Sequence, residues 1–368
     1  MPGHCSDVRL PTQVRVAIVH YWLLGMRGGE KVVEALCRIF PDADIFTLFY
    51  DPEKISSTLR SHRVTASFLN PLRKHYRSLL PLMPYALESF DLRGYDLVIS
   101  SESGPAKGVL TGSSTRHVCY CHTPMRYLWD LYPAYLHEWT RSRLKRFAMA
   151  PLASWLRLWD YASAARVDDF VANSENVRRR IRKTYRREST VVHPPVDVES
   201  FRCERAEDYF LIVSELVAYK RLDTAVRCFA KSGRRLRIAG DGPEFARLRK
   251  LAAPNIEFCG RVSDEELRKL YARCRAFLMP GEEDFGMTIV EAMASGKPVI
   301  ALGRGGVLEI VPPEAAFLYD APEDASLETA VKKFEASHVS SDVLQSAARR
   351  FSPAEFDRKM REVIYRNE

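Results

Sequence analysis

Short apolar runs rich in β-branched residues recur along the chain, each followed by a glycine- or proline-marked break and then by apolar positions at helical spacing. Residues 14–20 read as a first buried strand, 25–30 as a glycine loop and 31–40 as a helix. Further strands are predicted at 43–50 and 95–101, the latter ending in a polar loop at 102–107. From 116 to 121 the alternation puts Cys119 and Cys121 on one face, and the strand stops at His122 because Pro124 cannot donate to a ladder. Residues 136–166, rich in Trp, Arg and Leu, are expected to form one or two helices over the sheet, with Trp139, Trp155 and Trp159 as core or interface anchors. A strand at 168–174 and a basic helix at 178–187 follow.

Pro194 and Pro195 stiffen the segment 191–197, which reads as a linker. Beyond it the alternation resumes, with strands at 209–214, 236–239, 255–259, 276–279 and 299–302 and helices at 222–232, from 264, at 286–295, 325–335, 343–350 and 353–365. Alternation through both halves predicts an α/β fold of two Rossmann-like domains facing each other across a cleft. The expected domains are 1–193 and 194–350, with 351–368 as a final helix.

Composition narrows the class. A chain of 368 residues is long for a single core, and 46% hydrophobic with 28% charged residues excludes a disordered protein. The net charge of +8 suits an anionic partner: nucleic acid, an acidic membrane surface or a phosphorylated substrate. Nucleic acid is not expected, because the basic helix at 178–187 is accompanied by no nucleic-acid motif. Residues 63–90 mix basic and large apolar side chains between prolines; they read either as a surface segment with a buried side or as a patch lying on anionic lipid. The eight cysteines have no framework spacing and are expected to be free thiols in a reducing compartment. With no apolar run of about 18 residues and no signal-like start, the reading is a cytoplasmic protein, touching a membrane at most peripherally at its inner face.

The stretch 279–300 carries the chemistry. An apolar strand breaks at Pro280-Gly281, passes an acidic loop and enters a helix signalled by Asp284 and Gly286. Backbone N–H groups of Gly286, Met287 and Thr288 would face an anion at the positive end of that helix. Glu283 and Glu291 could offer acceptors to sugar hydroxyls, so the outline is a sugar-nucleotide site; two solvated glutamates are the plain alternative.

Glu-x7-Glu with Phe285-Gly286 inside it, followed by Ala-Met-Ala-Ser-Gly-Lys-Pro-Val-Ile, resembles the signature of the retaining glycosyltransferases of family 4, which have the GT-B fold. The run Cys-His-Thr-Pro-Met-Arg-Tyr-Leu-Trp-Asp at 121–130 resembles a mannosyltransferase-like subgroup that builds bacterial surface polysaccharides. The resemblance implies catalytic roles for His122, Glu283 and Lys220. It implies donor binding by Gly28, Gly29, Ser214, Arg221, Arg261, Val262, Asp284, Phe285, Gly286, Met287, Thr288 and Glu291, with Arg126 and Tyr127 on the acceptor side. It also implies that the final helix crosses back to the first domain. One departure stands out: Glu215 occupies the place of an expected arginine, and a carboxylate cannot replace a guanidinium at a phosphate.

The implied function is transfer of a sugar, mannose from GDP-mannose, to a saccharide or lipid-linked acceptor, with no cofactor and no obligatory metal. A Cys/His metal site explains 119–122 less well, since no second pair at zinc spacing accompanies it. The rivals are a transferase using a UDP-sugar, a sugar-nucleotide epimerase, and a non-catalytic anion-binding protein.

Overall fold

A computed structural model of the chain describes residues 14–133 and 143–366. Its contacts divide into two compact units: 1–173 with 177–191 and 361–368, and 174–176 with 192–360. The expected anchor Trp139 lies outside the described residues.

The first unit is built on a parallel sheet of seven strands: β1 (Val16–His20), β2 (Asp44–Thr47), β3 (Val64–Ala66), β4 (Leu97–Glu102), β5 (Arg116–Cys121), β6 (Asp169–Ala172) and β7 (Thr190–Val191). Their spatial order is β3-β2-β1-β4-β5-β6-β7. β1 and β4 are buried at every position because helices cover a parallel sheet on both faces. In the register His20 lies beside Ser101, and Ser101 beside Tyr120, which aligns the strand ends that carry His20, Ser101 and His122.

Helix α1 (Gly28–Ile39) starts three residues earlier than its sequence pattern suggests. Arg27 N–H donates to the Glu30 carboxylate at 3.0 Å, so Gly28 and Gly29 are drawn into the first turn rather than left in the loop. Residues 63–90 become mostly 3-10 turns over Asn70–Leu82 and a short helix, Met83–Glu88, consistent with the three prolines. Helix α2 (Arg143–Ser163) holds Trp159 partly buried, its indole donating to Glu88, whereas Trp155 is 47% exposed and anchors no core. Helix α3 (Glu175–Tyr185) buries Val177, Ile181 and Tyr185, and its arginines occupy the other face.

The segment 102–107 is not a solvated loop. Glu102, Lys107 and Asp160 are all completely buried, with Lys107 Nζ 2.9 Å from Glu102 and bonded to Asp160 as well. Trp129 Nε1 and the Tyr185 hydroxyl donate to Asp160 at 2.7 and 3.1 Å. Asp160 lies 53 residues from Lys107, so nothing local in the sequence announces the cluster. Burial pushes the Glu102 carboxyl up to about 7, against the pull of Lys107. Burial also works against the Lys107 charge, yet Asp160 and Glu102 overcome it and keep the ammonium protonated.

The second unit repeats the plan with β8 (Phe210–Val213), β9 (Leu236–Ala239), β10 (Ile256–Gly260), β11 (Phe277–Met279), β12 (Val299–Leu302) and β13 (Ala316–Tyr319). These strands are parallel, in the order β10-β9-β8-β11-β12-β13. Helices α4 (Leu222–Ser232), α5 (Asp264–Arg273) and α6 (Met287–Ala294) connect them, and a reciprocal Ser263–Glu266 box caps α5. The last helix, α7 (Pro353–Ile364), ends among residues assigned to the first unit, where Arg116 donates to the carbonyls of Val363 and Ile364.

Cys37, Cys119, Cys121, Cys203, Cys228, Cys259 and Cys274 are free thiols. Among the described residues no helix is long and apolar enough to cross a membrane. Replacing Lys107 by Met leaves two buried carboxylates without their cation, and should lower unfolding stability by about 3–5 kcal/mol. Urea titration at pH 7 measures this, and a loss below 1 kcal/mol would contradict the cluster's role.

Candidate active site

In the second unit the strand order reverses between β8 and β11, and an open parallel sheet leaves a crevice at the C-terminal ends of such a pair. Two loops meet there. The loop after β8 carries Ser214, Glu215 and a 3-10 turn, Ala218–Lys220; the loop after β11 carries Pro280 to Gly286. The Lys220 ammonium pairs directly with the Glu283 carboxylate, joining two expected catalytic residues that are 63 positions apart. Gly281 makes this possible: a Cβ there would lie 2.6 Å from the Lys220 carbonyl oxygen, closer than any side chain tolerates.

Behind the pair, Gly306 N–H donates to the Glu283 carbonyl at 2.9 Å, and a parallel bridge joins Glu283 to Gly305. The loop 303–309 is therefore a brace for Glu283. Gly286 caps α6 with φ of 106°, a left-handed conformation that glycine adopts without a Cβ clash. Met287 and Thr288 then open the helix, where first-turn amides have no carbonyl one turn back and attract anions. Phe285 is buried in the unit's core, and the Asp284 carbonyl accepts from Ser174 Oγ at 2.7 Å.

Glu291 is buried one turn inside α6, and its Oε2 accepts from the Tyr271 hydroxyl at 2.9 Å. Arg221 sits in the left-handed region (φ 54°) as the cap of α4, with its guanidinium on the Pro322 carbonyl at 3.2 Å and near Asp223. Ser214 N–H donates to the Ala239 carbonyl, which fixes it at the end of β8. Arg261 and Val262 follow the end of β10, and the Arg261 side chain is 82% exposed.

The first unit has its own strand-order reversal, between β1 and β4. His122 follows β5, and its Nε2 lies 2.9 Å from Ser101 Oγ. Sequence reasoning missed His20 and Ser101. His20 ends β1 and is completely buried, with Nδ1 3.1 Å from the Ser101 carbonyl. A carbonyl only accepts, so Nδ1 carries the proton and Nε2 presents a lone pair, which has no hydrogen-bond partner among the described residues. The ring faces the start of α1: a Cβ on Gly29 would be 3.3 Å from His20 Cε1. The usable signal was the placement of a histidine at the last position of a buried first strand, the same placement that singled out His122.

Burial lowers His122 to about 4; burial and then the charge of His122 lower His20 to about 3. Both rings are neutral near pH 7. Arg126 and Tyr127 lie in the turn after His122, where the Tyr127 hydroxyl donates to Met125 Sδ at 3.2 Å. Gly28 and Gly29 form the first turn of α1. Among the described residues no group of three or more His, Cys, Asp or Glu side chains is arranged to hold a metal ion.

Two family models match the chain: "Glycosyltransferase Family 4" over residues 26–200 and "Glycosyl transferases group 1" over 196–351. Among curated proteins, an uncharacterized glycosyltransferase of Methanocaldococcus jannaschii is 28% identical over 149 residues, covering 39% of this chain and 42% of that protein. A GDP-mannose-dependent alpha-mannosyltransferase of Mycobacterium tuberculosis is 38% identical over 102 residues, 27% of each chain. The chain thus spans less than half the length of the first curated relatives it matches. Among solved structures, Anabaena HepE in complex with UDP and glucose superposes with a TM-score of 0.69 at 16% identity, over 96% of this chain and 99% of that one. Likenesses of this kind identify the fold as GT-B, two Rossmann-like α/β units.

The neutral histidines make the stability pH-dependent. His117, fully buried like His20 and lowered to about 4 by burial, joins His20 and the partly buried His122. Each binds a proton more readily unfolded than folded, so stability is full above about pH 6.5 and falls as pH drops toward 4. Glu102, raised by burial, opposes this between about 4.5 and 7, leaving a net loss on acidification. Urea midpoints should fall between pH 7 and 5, and His117→Asn should flatten the slope by up to about 3 kcal/mol across the full window. A midpoint independent of pH in this range would contradict the neutral, buried assignment.

Proposed function

Because the chain belongs to glycosyltransferase family 4, we propose that it is a retaining glycosyltransferase that moves mannose from GDP-mannose onto a saccharide or lipid-linked acceptor in bacterial polysaccharide synthesis. The observation that carries this reading is the meeting of Lys220 and Glu283 beside the glycine-opened mouth of α6, at the reversal point of the second sheet. A nucleotide sugar answers all three features. Its diphosphate takes Lys220 and the amides of Met287 and Thr288, and its sugar hydroxyls take the carboxylate that Lys220 releases. Arg221 is already engaged by Pro322 and Asp223, which favours Lys220 and the helix amides as the main grip despite Glu215. Arg261 and Val262 would flank the base, and Glu291 the ribose.

In the proposed reaction the bond from the anomeric carbon to the diphosphate oxygen breaks while the acceptor oxygen bonds to that carbon on the same face. The departing diphosphate receives the acceptor's proton. The ammonium and the helix amides stabilise charge that grows on the leaving group through an oxocarbenium-like centre. His122, neutral, would contact the transferred sugar, with Arg126 and Tyr127 toward the acceptor. Exposed Phe68, Leu72, Leu82 and Tyr85, interspersed with Lys74 and Arg77, support peripheral contact with an anionic membrane.

The choice of mannose and GDP follows the names of the mannosyltransferase relatives. A UDP-sugar is the second reading, since the HepE structure holds UDP. In thermal-shift titrations GDP-linked donors should raise the melting temperature more than UDP-linked ones, and Lys220→Ala should abolish the rise. Turnover of GDP-mannose should fall about 10²–10³-fold in Lys220→Ala and in Glu283→Gln. Equal shifts with UDP donors would overturn the nucleotide, isomerisation without acceptor would favour an epimerase, and anion binding without turnover would leave only a binding protein.

A further inference from the structure

Outside the residues assigned to catalysis and donor binding, the first unit contains a cavity of about 310 Å³ whose walls include Trp22, Arg27, Lys54, Arg73, Lys74 and Tyr76. It opens where the chain leaves β1, at the C-terminal edge of the sheet. Leu23 N–H donates to the Phe49 carbonyl at 2.7 Å and Asp51 N–H to the Leu23 carbonyl at 2.9 Å, so the loops after β1 and β2 form one rigid floor.

The acids here are already engaged. Asp51 pairs with Lys54 at 3.0 Å, and Lys54, with Arg73 contributing, holds its carboxyl low. Glu30 is 2% exposed and accepts the Arg27 N–H, and burial raises its carboxyl above the usual range. Four cations against two acids leave an excess of positive charge in a confined space. Trp22 and Tyr76 meet edge to face at 4.9 Å and supply an aromatic wall. Compact ammonium charges beside arginine forks match a tetrahedral polyanion better than a single carboxylate, and aromatic faces suit the sugar ring or apolar chain attached to it.

We propose that this cavity binds a phosphate or diphosphate ester of the acceptor, so that the acceptor substrate is a phosphorylated saccharide or lipid-linked saccharide. The inference rests on the transferase reading for the word acceptor, and on the cavity alone for the anion. β1 stands two strands from β5, about 10 Å at sheet spacing, so the ester would sit a saccharide unit or two from the hydroxyl presented near His122.

The test uses the full chain. Inorganic pyrophosphate is titrated calorimetrically into Lys220→Ala, which disables the donor grip, and into the same variant carrying Arg73→Ala and Lys74→Ala. Affinity should drop at least tenfold in the latter, and equal affinities would overturn the proposal. Transfer from GDP-mannose is then compared on geranyl-diphosphate-linked mannose and on octyl mannoside. With Arg73→Ala/Lys74→Ala, KM for the diphosphate acceptor should rise at least tenfold, with KM for GDP-mannose and use of octyl mannoside unchanged. A matching rise for octyl mannoside would overturn it. So would loss of binding to phosphatidylglycerol vesicles with no change in the diphosphate acceptor's KM, because the cations would then serve the membrane. Lys74→Glu, at an exposed position, should reproduce the KM effect without a change in melting temperature. If no nucleotide sugar is turned over but pyrophosphate binding still depends on Arg73 and Lys74, the anion site is supported and the transferase reading falls.

Discussion

Everything of chemical interest in this chain is placed by one constraint. A parallel sheet whose strand order reverses sends its two central connections to opposite faces, and the loops that leave those strands part to form a crevice. Both units obey it. In one, β8 and β11 bring Lys220 to Glu283; in the other, β1 and β4 bring His20 to Ser101 and, through the next strand, to His122. The strands are short and almost entirely buried, so little freedom remains in where those loop residues begin.

The constraint is reinforced by close packing of backbone on backbone. Gly281 lies against the Lys220 main chain, and the loop 303–309 bonds to the Glu283 carbonyl. In the first unit the neighbour of Ser101 in sequence is Glu102, whose carbonyl receives the His122 N–H at 2.6 Å and whose carboxylate is locked into the cluster with Lys107 and Asp160. A buried ion cluster of this type contributes little net stability, but it fixes orientation, here of the strand end that both histidines use.

Much of this was legible in the sequence because it is written locally. Period-two and period-3.6 patterns gave the alternation of strands and helices, and glycines and prolines marked the breaks near Gly281, Gly286 and Pro124. What was not legible depends on distant partners. The run 102–107 is polar by composition, and only Asp160 from α2 turns it into interior. Trp155 faces outward and so is no core anchor, since a helix buries one side and composition does not say which. His20 hid because a histidine within an apolar run reads as core until the neighbouring carbonyl of Ser101 fixes its tautomer. The early start of α1 turned on one hydrogen bond, from Arg27 to Glu30.

The ion pair between Lys220 and Glu283 would, under the proposed reaction, bear on product release as well. A free phosphate that captured the ammonium would strand the carboxylate, and a simple sugar that captured the carboxylate would strand the ammonium. Only a molecule carrying both functions compensates both partners at once. In the proposed reaction, once the sugar had departed the spent nucleotide would satisfy one side alone, and the re-forming pair would compete with it for the lysine. On that reading the pair would be its own eluent, selecting an intact donor on entry and loosening the leftover nucleotide on exit.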